Sequence, residues 1–325
     1  MLNKRVLITG ATGFIGSHLT ELFVKNGYKV TAFDRYNPDY NLGHLSTSSY
    51  KKEVEFIFGD IRDFDSVYKA AKKKNIILHL AALIGIPYSY YSPLAYIKTN
   101  IEGTYNVLEA SKNLNTDQTV VTSTSETYGS ALKIPMNEKH RLIGQSPYAA
   151  SKIAADQLAI SYWRSFKLPV KIIRPFNTYG PRQSDRAVIP SIILQALANK
   201  DIKLGNITTS RDYTYVKDLC AAFLKIVKIR DLNGMPINVG SNKEIKIKDI
   251  ARLIIKKVNP KLKIIIDKKR IRPKLSEVDR LKCDNSLLID KTKWKPLITF
   301  EEGLEETIDW IRDNRISDDS NNYRI

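Results

Sequence analysis

Cysteine is scarce in this sequence. Cys220 and Cys283 are the two in 325 residues, and neither belongs to a CxxC pair. This usage is typical of a reducing compartment, and it excludes a disulfide framework and a cysteine-based zinc site. No metal-ligand spacing is found among the four histidines, which are His18, His44, His79 and His140. We therefore expect two buried or half-buried free thiols and no metal.

Long apolar runs are also missing. No stretch approaches the roughly 18 residues that a membrane span needs. Met1 leads into Lys4, Arg5 and a short strand-like run rather than into a secretory signal. The sequence therefore predicts a soluble, cytoplasmic protein without membrane contact. The segment from Arg315 is rich in Ser, Asp and Asn, so a flexible tail is predicted over 315–325.

Acidic residues are outnumbered by basic ones. The 52 Lys and Arg stand against 34 Asp and Glu, which gives a formal net charge of +18. Such an excess suits nucleic acid, a membrane surface or an anionic small substrate. The lysines are spread over short runs such as Lys72 to Lys74, without interleaved aromatic residues or a nucleic-acid motif. A solvated basic surface is the preferred interpretation, and no nucleic-acid partner is predicted.

Short β-branched runs alternate with longer amphipathic stretches in the first half of the chain. This alternation is typical of βαβ units around a parallel sheet. The predicted strands are Arg5 to Thr9, Lys29 to Phe33, Glu55 to Phe58, Ile76 to His79, Thr119 to Ser123 and Val170 to Arg174. The sequence therefore predicts an α/β fold with a Rossmann-type doubly wound parallel sheet.

Two long helices are predicted beside the fifth strand. The segment from Pro93 to Asn113 carries apolar residues at near-helical spacing. Ser146 and Pro147 form an N-cap followed by proline at the first helical position. Both segments are predicted to be crossover helices of the sheet.

The pattern loosens after Pro175. Helices are predicted near Val188 to Asn199 and Val216 to Ile229, and a late strand is predicted at Ile237 to Val239. We expect a dinucleotide-binding domain over 1–175, to which 213–242 returns. A smaller α/β substrate-binding cap is expected over 176–314.

A glycine-rich loop follows the first predicted strand. Gly10, Gly13 and Gly16 lie in TGATGFIGSHL, at the opening of a helix. Residues without side chains let the backbone approach phosphate, and the helix N-terminus favours a pyrophosphate there. Asp34 ends the second strand, where a carboxylate binds both ribose hydroxyls and repels a 2′-phosphate. NAD is therefore favoured over NADP, with Arg35 as the residue that could instead pair with a 2′-phosphate.

Two further strand ends are placed to face the same cofactor. Asp60 follows the third strand in FGDIRD, and His79 to Ala82 reads HLAA at the end of the fourth. The carboxyl ends of parallel strands meet at one edge of a sheet. These residues are therefore predicted to line the adenine and ribose side, with simple strand-end packing as the alternative.

Tyr148 and Lys152 form YAASK on a predicted helix, where i, i+4 spacing places them on one face. Tyrosine is a poor base at neutral pH, but an adjacent ammonium favours the phenolate. Thr124 ends the fifth strand, where strand ends meet the cofactor. A lone YxxxK is often a surface pair, whereas its combination with Thr124 at the end of the fifth strand is a far more specific signal.

The glycine loop, Asp34, HLAA, Thr124 and YAASK together resemble the extended short-chain dehydrogenase/reductases over essentially the whole chain. The resemblance implies NAD, a nucleotide-diphosphate sugar substrate and a homodimer formed by the helices at about Pro93 to Asn113 and Ser146 to Phe166. It also implies cofactor contacts from Gly10, Thr12, Gly13, Phe14, Ile15, Gly16, Asp34, Arg35, Asp60, Ile61, Leu80, Ala81, Ala82, Thr99, Tyr148 and Lys152.

Ser125 and Glu126 narrow the resemblance within this family. Simple 4-epimerases of the family place small or neutral residues after the threonine, whereas TSTSETYG carries a hydroxyl and a carboxylate there. A Thr, Ser/Asp, Glu arrangement is similar to that of sugar 4,6-dehydratases and UDP-glucuronate decarboxylases. The implied catalytic set is Thr124, Ser125, Glu126, Tyr148 and Lys152.

The implied dehydratase chemistry begins with oxidation at C4 of the sugar. Tyr148 takes the C4 hydroxyl proton while the C4 hydride passes to NAD, Glu126 removes the C5 proton, and water leaves from C6 before the hydride returns there. Many 4,6-dehydratases carry Asp in place of Ser125. The acid that protonates the C6 hydroxyl is therefore left open between Glu126 and Ser125.

A second group of residues is implied to bind the substrate. RPFNTYGPRQ, from Arg174 to Gln183, matches the family segment in which Asn177 supports the diphosphate, and guanidinium groups suit phosphate oxygens. The implied contacts are Ile86, Pro87, Thr124, Ser125, Glu126, Asn177, Arg182, Arg186, Val188, Arg211, Arg272 and Glu277. Surface ion pairing is the alternative for the last two.

The substrate is narrowed by resemblance alone. Ile84 to Asn100, QSPYAASK and RPKLSEVDR look most like dehydratases that act on nucleotide-activated N-acetylglucosamine in legionaminic-acid and related pathways. The prediction is a UDP- or GDP-N-acetylglucosamine 4,6-dehydratase, a lyase. UDP-glucuronate decarboxylase and nucleotide-sugar 4-epimerase are the enzyme alternatives, and a noncatalytic NAD-binding or nucleic-acid-associated protein is the alternative from another class.

Overall fold

The structure is a computed structural model and describes residues 4–314, which contain twelve β-strands. They are β1 (Arg5–Thr9), β2 (Lys29–Arg35), β3 (Glu55–Gly59), β4 (Ile76–His79), β5 (Gln118–Thr122), β6 (Val170–Pro175), β7 (Asn177–Tyr179), β8 (Ile202–Leu204), β9 (Ser210–Tyr215), β10 (Pro236–Val239), β11 (Glu244–Lys246) and β12 (Ile264–Ile266). The predicted tail, 315–325, lies outside the described residues.

Helices connect these strands. The α-helices are α1 (Phe14–Lys25), α2 (Phe64–Ala71), α3 (Ile86–Tyr91), α4 (Pro93–Tyr96), α5 (Gly103–Asn113), α6 (Pro147–Phe166), α7 (Val188–Leu197), α8 (Val216–Ile226), α9 (Ile247–Val258), α10 (Ser286–Thr292) and α11 (Phe300–Asn314). A π-helical segment covers Ile97–Glu102, and 3-10 helices cover Gly43–Leu45, Lys51–Glu53, Ser125–Tyr128, Lys268–Arg270 and Lys274–Ser276.

Seven strands form a parallel sheet in the order β10-β6-β5-β4-β1-β2-β3. The chain runs outward from β1 to β3 and then returns to the other side of β1 with β4. That reversal leaves a crevice at the carboxyl ends of β1 and β4, which is where ligands bind in open α/β sheets. The Rossmann-type α/β fold predicted from the sequence is confirmed, and the six predicted early strands are all present.

The smaller sheets follow β6 in the chain. One has the order β11-β9-β7, in which β9 is antiparallel to β11 and parallel to β7, and the other pairs β12 with β8. The predicted late strand, β10, does not belong to these smaller sheets. It joins the main sheet beside β6, and α8 packs on α1. The division of the chain at 175 stays a prediction.

The helix predicted from Pro93 to Asn113 is interrupted by the π-helical segment. Inside that segment the Asn100 side chain donates to Leu83 O and to Ser151 Oγ, both at 2.9 Å, and accepts from Leu83 N at 2.9 Å. Directly after it, a Cβ on Gly103 would lie 2.9 Å from a side-chain carbon of Ile61. The wider turn thus brings Asn100 to the loop after β4. The other long helix begins as predicted, with Ser146 Oγ accepting from Ala149 N.

Cys220 and Cys283 are buried free thiols, as predicted. Within 4–314, none of the helices is long and apolar enough to cross a membrane, and no group of three or more His, Cys, Asp or Glu side chains is arranged to hold a metal ion.

Lys171 is a buried cation in β6. Its side chain is fully buried, and Nζ donates to Oε1 of Gln118 on β5 at 2.5 Å. Among residues 4–314 no carboxylate forms an ion pair with it. Burial lowers the pKa of Lys171 to about 8. The folded protein therefore releases a proton from Lys171 that the unfolded chain keeps up to its ordinary pKa.

Replacing Lys171 by Met is expected to change how stability depends on pH. Between pH 8 and 10.5 the unfolded wild type binds more protons than the folded wild type, so its stability rises with pH. The free energy of unfolding of Lys171→Met, minus that of wild type, should fall by about 2–3 kcal/mol over this range. Urea unfolding at the two pH values measures it. Lys203→Met, at an exposed strand position, is the control, and an equal response of both variants would contradict the prediction.

Candidate functional site

The glycine loop lies at the carboxyl end of β1. Gly10 has a φ of 69°, and a Cβ there would lie 2.9 Å from Ala81 N. A Cβ on Gly16 would lie 2.1 Å from Gly10 O, so neither position tolerates a side chain. Gly13 is the N-cap of α1 and supplies no side-chain cap. The first N–H groups of this 12-residue helix therefore face the loop and suit a bound pyrophosphate.

Asp34 lies beside this loop at the end of β2. Its Oδ2 accepts from Thr12 N at 2.9 Å and from Thr12 Oγ1 at 2.6 Å, and its Oδ1 accepts from Arg35 N at 2.8 Å. These bonds fix the carboxylate next to the turn that follows β1. A carboxylate so placed fits a ribose with free hydroxyls and repels a 2′-phosphate.

Asp60 ends β3 in an ion pair. Its carboxylate accepts from Arg62 Nε at 2.9 Å and from Arg62 Nη2 at 2.5 Å, and these contacts lower the pKa of Asp60. The next residue, Ile61, is buried against Gly103, while Thr99 is half-buried in the π-helical segment. The Asp60 carboxylate therefore already has a partner on its own loop.

The HLAA run divides into two parts. His79 is buried between Thr9 Oγ1, 2.8 Å from Nδ1, and Thr104 Oγ1, 3.1 Å from Nε2. Because the Thr104 hydroxyl donates to Asn100 O, Nε2 must carry the proton, and Nδ1 then accepts from Thr9. Burial lowers the pKa of His79 to about 3, so the ring is neutral. His79 thus packs the strand end, and Leu80 to Ala82, which follow it at the carboxyl end of β4, are half-buried.

Tyr148 and Lys152 lie on one face of α6, and both are buried. Lys152 Nζ donates to Thr122 O at the end of β5, at 2.7 Å. Burial lowers the pKa of Lys152 to about 8, against the effect of the nearby Asp156 carboxylate. Burial also raises the pKa of Tyr148, which a hydrogen bond to Thr124 opposes and Glu126 reinforces. The predicted neighbours, Thr124, Tyr148 and Lys152, are therefore brought together.

Glu126 is carried by the 3-10 helix Ser125–Tyr128. Thr124 is its N-cap, and Thr124 Oγ1 accepts from Glu126 N at 3.2 Å. Ser125 is buried, whereas Glu126 is half-buried. Within residues 4–314 the Glu126 carboxylate has no hydrogen bond or ion pair. A free carboxylate next to the Tyr148 phenol is available for proton transfer with a ligand.

Tyr96 is a neighbour of Tyr148 that the sequence did not single out. The two rings make an edge contact with centroids 6.2 Å apart, and Tyr96 Oη donates to Gly85 O at 2.5 Å. Ile86, predicted as a substrate contact, belongs to the same apolar cluster, and Pro87 lies in the first turn of α3. These residues form one wall beside the Tyr148 phenol.

Arg211, Arg272 and Glu277 form a cluster in the region after β6. Arg211 is buried, and its Nη1 donates to Ser210 O at 3.0 Å. Glu277 Oε1 lies 3.3 Å from Arg211 Nη2 and 3.8 Å from Arg272 Nη1. One carboxylate thus faces two guanidinium groups, and the cluster keeps a net positive charge that suits a diphosphate.

Arg182 and Arg186 differ from each other. Arg182 makes two hydrogen bonds of 3.0 Å to the Glu21 carboxylate on α1. Arg186 is exposed, and its charge acts on the pKa of Tyr96. Val188 begins α7 and is half-buried. Of the two predicted phosphate contacts, Arg182 is therefore already paired within the protein.

Within residues 4–314, three buried side-chain oxygens of the sheet β11-β9-β7 lack a hydrogen-bond partner, and one of them is Thr214 Oγ1. Asn177 Oδ1 and Tyr213 Oη have no hydrogen bond within residues 4–314, although the two residues are Cα partners across β7 and β9. Arg211, Arg272 and Glu126 all act on the pKa of Tyr213, which burial raises to about 12. Buried polar groups are usually hydrogen-bonded in folded proteins. Tyr213 lies two residues after Arg211, a period that places both on one strand face.

Known proteins are similar in sequence to nearly the whole chain. The family model described as GDP-mannose 4,6 dehydratase matches residues 7–307. The dTDP-D-glucose 4,6-dehydratase of Homo sapiens is 31% identical over 321 residues, which cover 96% of this chain and 91% of that protein. The UDP-N-acetyl-alpha-D-glucosaminuronate decarboxylase of Bacillus cytotoxicus is 32% identical over 327 residues, which cover 96% and 99%.

A solved structure adds a third activity. The UDP-glucuronic acid 4-epimerase of Bacillus cereus, in complex with UDP-glucuronic acid and NAD, superposes with a TM-score of 0.88 at 28% identity and covers 95% of this chain and 99% of its own. Dehydratases, decarboxylases and epimerases thus share this architecture. The chain belongs to the GDP-mannose 4,6-dehydratase family of extended short-chain dehydrogenase/reductases, whose members act on nucleotide sugars.

Proposed function

We propose that the protein is an NAD-dependent nucleotide-sugar 4,6-dehydratase that acts in the cytoplasm on UDP- or GDP-N-acetylglucosamine. The observation that carries this proposal is the unpaired Glu126 carboxylate beside the Tyr148 phenol. Oxidation at C4 alone needs no carboxylate there, whereas removal of a C5 proton does.

NAD is the cofactor of this proposal, and it accepts the C4 hydride and later returns it. Asp34, held by Thr12 at the end of β2, binds the ribose hydroxyls, and the N–H groups at the start of α1 bind the pyrophosphate. Lys152 faces the nicotinamide ribose, and Leu80 to Ala82 line the adjoining wall. We propose that the other cofactor contacts predicted from the sequence belong to the same site.

Three residues carry the first step. Tyr148 takes the C4 hydroxyl proton, Lys152 stabilises the phenolate by its charge, and Thr124 binds the C4 oxygen. Because burial raises the pKa of Tyr148, its deprotonation depends on positive charge at the site. Lys152 supplies such charge as long as its ammonium form is kept.

Glu126 carries the second step. Oxidation at C4 makes the C5 hydrogen acidic, and Glu126 removes it. The same carboxyl group then gives that proton to the C6 hydroxyl, which leaves as water and makes a 4-keto-5,6-ene. Hydride addition at C6 and addition of a solvent-derived proton at C5 give the 4-keto-6-deoxy sugar, and Tyr148 returns the C4 hydroxyl proton to solvent. Ser125 is buried and is a weak acid, so it serves to bind the departing hydroxyl.

The substrate test uses UDP-N-acetylglucosamine and GDP-N-acetylglucosamine separately, each with NAD. The expected product has lost one water, carries a 4-keto group and, in deuterated water, takes up label at C5. Mass spectrometry and NMR measure all three. Clean interconversion of C4 epimers with neither change would overturn the proposal and favour an epimerase.

A sugar-acid decarboxylase is the second candidate. Its support is the likeness to the Bacillus cytotoxicus decarboxylase over nearly its full length, together with a serine where many dehydratases place an acidic residue. After C4 oxidation a 6-carboxylate would leave as carbon dioxide. Incubation with UDP-glucuronate and UDP-N-acetylglucosaminuronate distinguishes the two, because the dehydratase releases no carbon dioxide from either.

We further propose a homodimer formed by the segments 93–113 and 146–166. Both segments expose large apolar side chains, at Leu94, Ile97, Tyr105 and Phe166. Four such side chains on two neighbouring segments suit a partner of the same kind.

Ile97→Lys is expected to shift the protein toward monomer, because it would bury an unpaired charge in that contact. Sedimentation velocity at several protein concentrations measures the shift. Ile265→Lys replaces a similarly exposed isoleucine on β12 and is the control. A wild-type protein that sediments as a monomer throughout would contradict the dimer.

A further inference from the structure

A buried ion pair lies directly behind the site residues of α6. Asp156 is one helical turn after Lys152 and is fully buried. Arg174 on β6 is also buried, and its Nε donates to Asp156 Oδ2 at 2.9 Å. Neither residue belongs to the set inferred above to touch cofactor or substrate.

Arg174 has a second partner on the turn that carries Glu126. Its Nη1 donates to Tyr128 Oη at 3.0 Å, and its guanidinium carbon lies 4.9 Å from the centroid of the Tyr128 ring. Tyr128 is the last residue of the 3-10 helix Ser125–Tyr128 and in turn donates to Asn238 Oδ1 at 2.7 Å. One guanidinium thus contacts both segments that carry proton-transfer groups.

We propose that Arg174 and Asp156 are positioning residues that tie the Glu126 turn to the helix of Tyr148 and Lys152, with Asp156 also holding Lys152 in its ammonium form. This inference rests on the proposed function for the roles of Glu126 and Tyr148. The contacts of Arg174 therefore set a distance between two proton-transfer groups. One is Tyr148, which removes the C4 hydroxyl proton, and the other is Glu126, which removes the C5 proton.

Burial of this pair is difficult to explain by stability alone. Two buried charges lose hydration that their attraction only partly restores, and apolar residues of similar volume often stabilise a protein equally well. A paired guanidinium, however, presents several donors in a rigid plane. Arg174 uses that plane to hold Asp156 and Tyr128 in one fixed arrangement.

The charges around Lys152 single out Asp156. On its own helix Lys152 is near Tyr148 and Asp156; at the end of β4 it is near His79, whose pKa of about 3 leaves the ring neutral. Across the site, Glu126 acts on Tyr148, and Arg174 of β6 is paired to Asp156. Asp156 is therefore the carboxylate that opposes the effect of burial on the pKa of Lys152.

The first test measures NAD affinity against pH by isothermal titration, without any sugar. If the Lys152 ammonium donates to the nicotinamide ribose, affinity falls as pH rises through the pKa of Lys152. In Asp156→Asn the midpoint of that fall should lie about one pH unit lower, the size of effect that a nearby opposite charge has. Asp156→Glu keeps the charge and should restore the wild-type midpoint, which a purely structural role would not produce.

The second test measures how the Tyr128 hydroxyl affects the position of the 3-10 helix Ser125–Tyr128, which carries Glu126. Tyr128→Phe keeps the ring but loses the hydroxyl between Arg174 and Asn238. In a single turnover the formation of reduced cofactor should stay within about twofold of wild type, whereas C5 exchange should slow by about tenfold, because Glu126 is displaced. The pH at which NAD affinity falls to its midpoint should be the same in this variant as in wild type, because Asp156 is intact.

The two tests separate this inference from the proposed function. An unchanged NAD midpoint in Asp156→Asn, or equal slowing of both steps in Tyr128→Phe, would overturn the positioning roles. If Asp156→Asn fails to fold, the other two variants still test the proposal. Asp156→Glu must keep the wild-type pH midpoint of NAD affinity. Tyr128→Phe must slow hydrogen exchange at C5 more than it slows C4 oxidation. Absence of turnover with every nucleotide sugar would refute the proposed function, and the NAD titration would still test Asp156.

Discussion

Tyr148→Phe is expected to reduce the rate of C4 oxidation by about 10²–10⁴-fold, the range that a positioned acid–base group contributes. The phenylalanine fills the same space beside Tyr96 and Ile86 but cannot take the C4 hydroxyl proton. The loss should appear in the first step, as slower formation of reduced nicotinamide after rapid mixing. NAD affinity should change little, because the helix and Lys152 are retained.

Tyr162→Phe is the matched control for this variant. Tyr162 lies on the same helix, is as buried as Tyr148, and uses its hydroxyl to donate to Glu109 Oε2 at 2.8 Å. Tyr162→Phe removes the hydroxyl of an equally buried tyrosine that lies far from the strand ends. The rate of C4 oxidation should therefore remain near that of wild type. Equal rates for Tyr148→Phe and wild type would show that another group takes the proton.

Glu126→Gln is expected to separate oxidation from elimination. The amide has nearly the same shape but accepts no proton, so C4 oxidation continues while C5 deprotonation slows by about 10²–10⁴-fold. Reduced cofactor and a bound 4-keto sugar should therefore accumulate in a single turnover. Deuterium uptake at C5, followed by NMR, should fall by the same factor as product formation.

Glu109→Gln is the control for the carboxylate. Glu109 is also partly buried and is paired to Lys112 and Tyr162 on the outer helices. Glu109→Gln should leave the ratio of the C4 oxidation rate to the elimination rate at the wild-type value. Full dehydration by Glu126→Gln would remove the role assigned to this residue, even with Tyr148 and Lys152 intact.

The sheet and the glycine loop after β1 can be predicted from the sequence because their signals are local. A β-branched run, the glycines that follow it and the acid at the next strand end lie within a few dozen residues, and close packing explains each of them. A Cβ at Gly10 or Gly16 would collide with backbone atoms, so the sequence there is fixed by the fold itself. The same holds for YAASK, whose spacing alone puts Tyr148 and Lys152 on one helix face.

Pairing between distant segments could not be predicted in this way. Arg182 looked available for phosphate, but Glu21, 161 positions earlier, holds it. Asp156 could have been noticed as one more polar residue on the Lys152 face, yet nothing in the sequence indicates that Arg174 opposes it. The π-helical segment was missed because its cause, the side chain of Asn100 reaching Leu83 and Ser151, is a tertiary contact.

The position of β10 has a consequence for any attempt to divide the chain. A fragment ending at Pro175 would leave β6 as an open edge, with unpaired N–H and C=O groups ready to join a strand of another molecule. It would also lack Asn238, the acceptor of the Tyr128 hydroxyl. During synthesis, the strand ends that carry Glu126 and Arg174 therefore emerge well before the edge strand that completes their surroundings, and the two halves are best produced as one polypeptide.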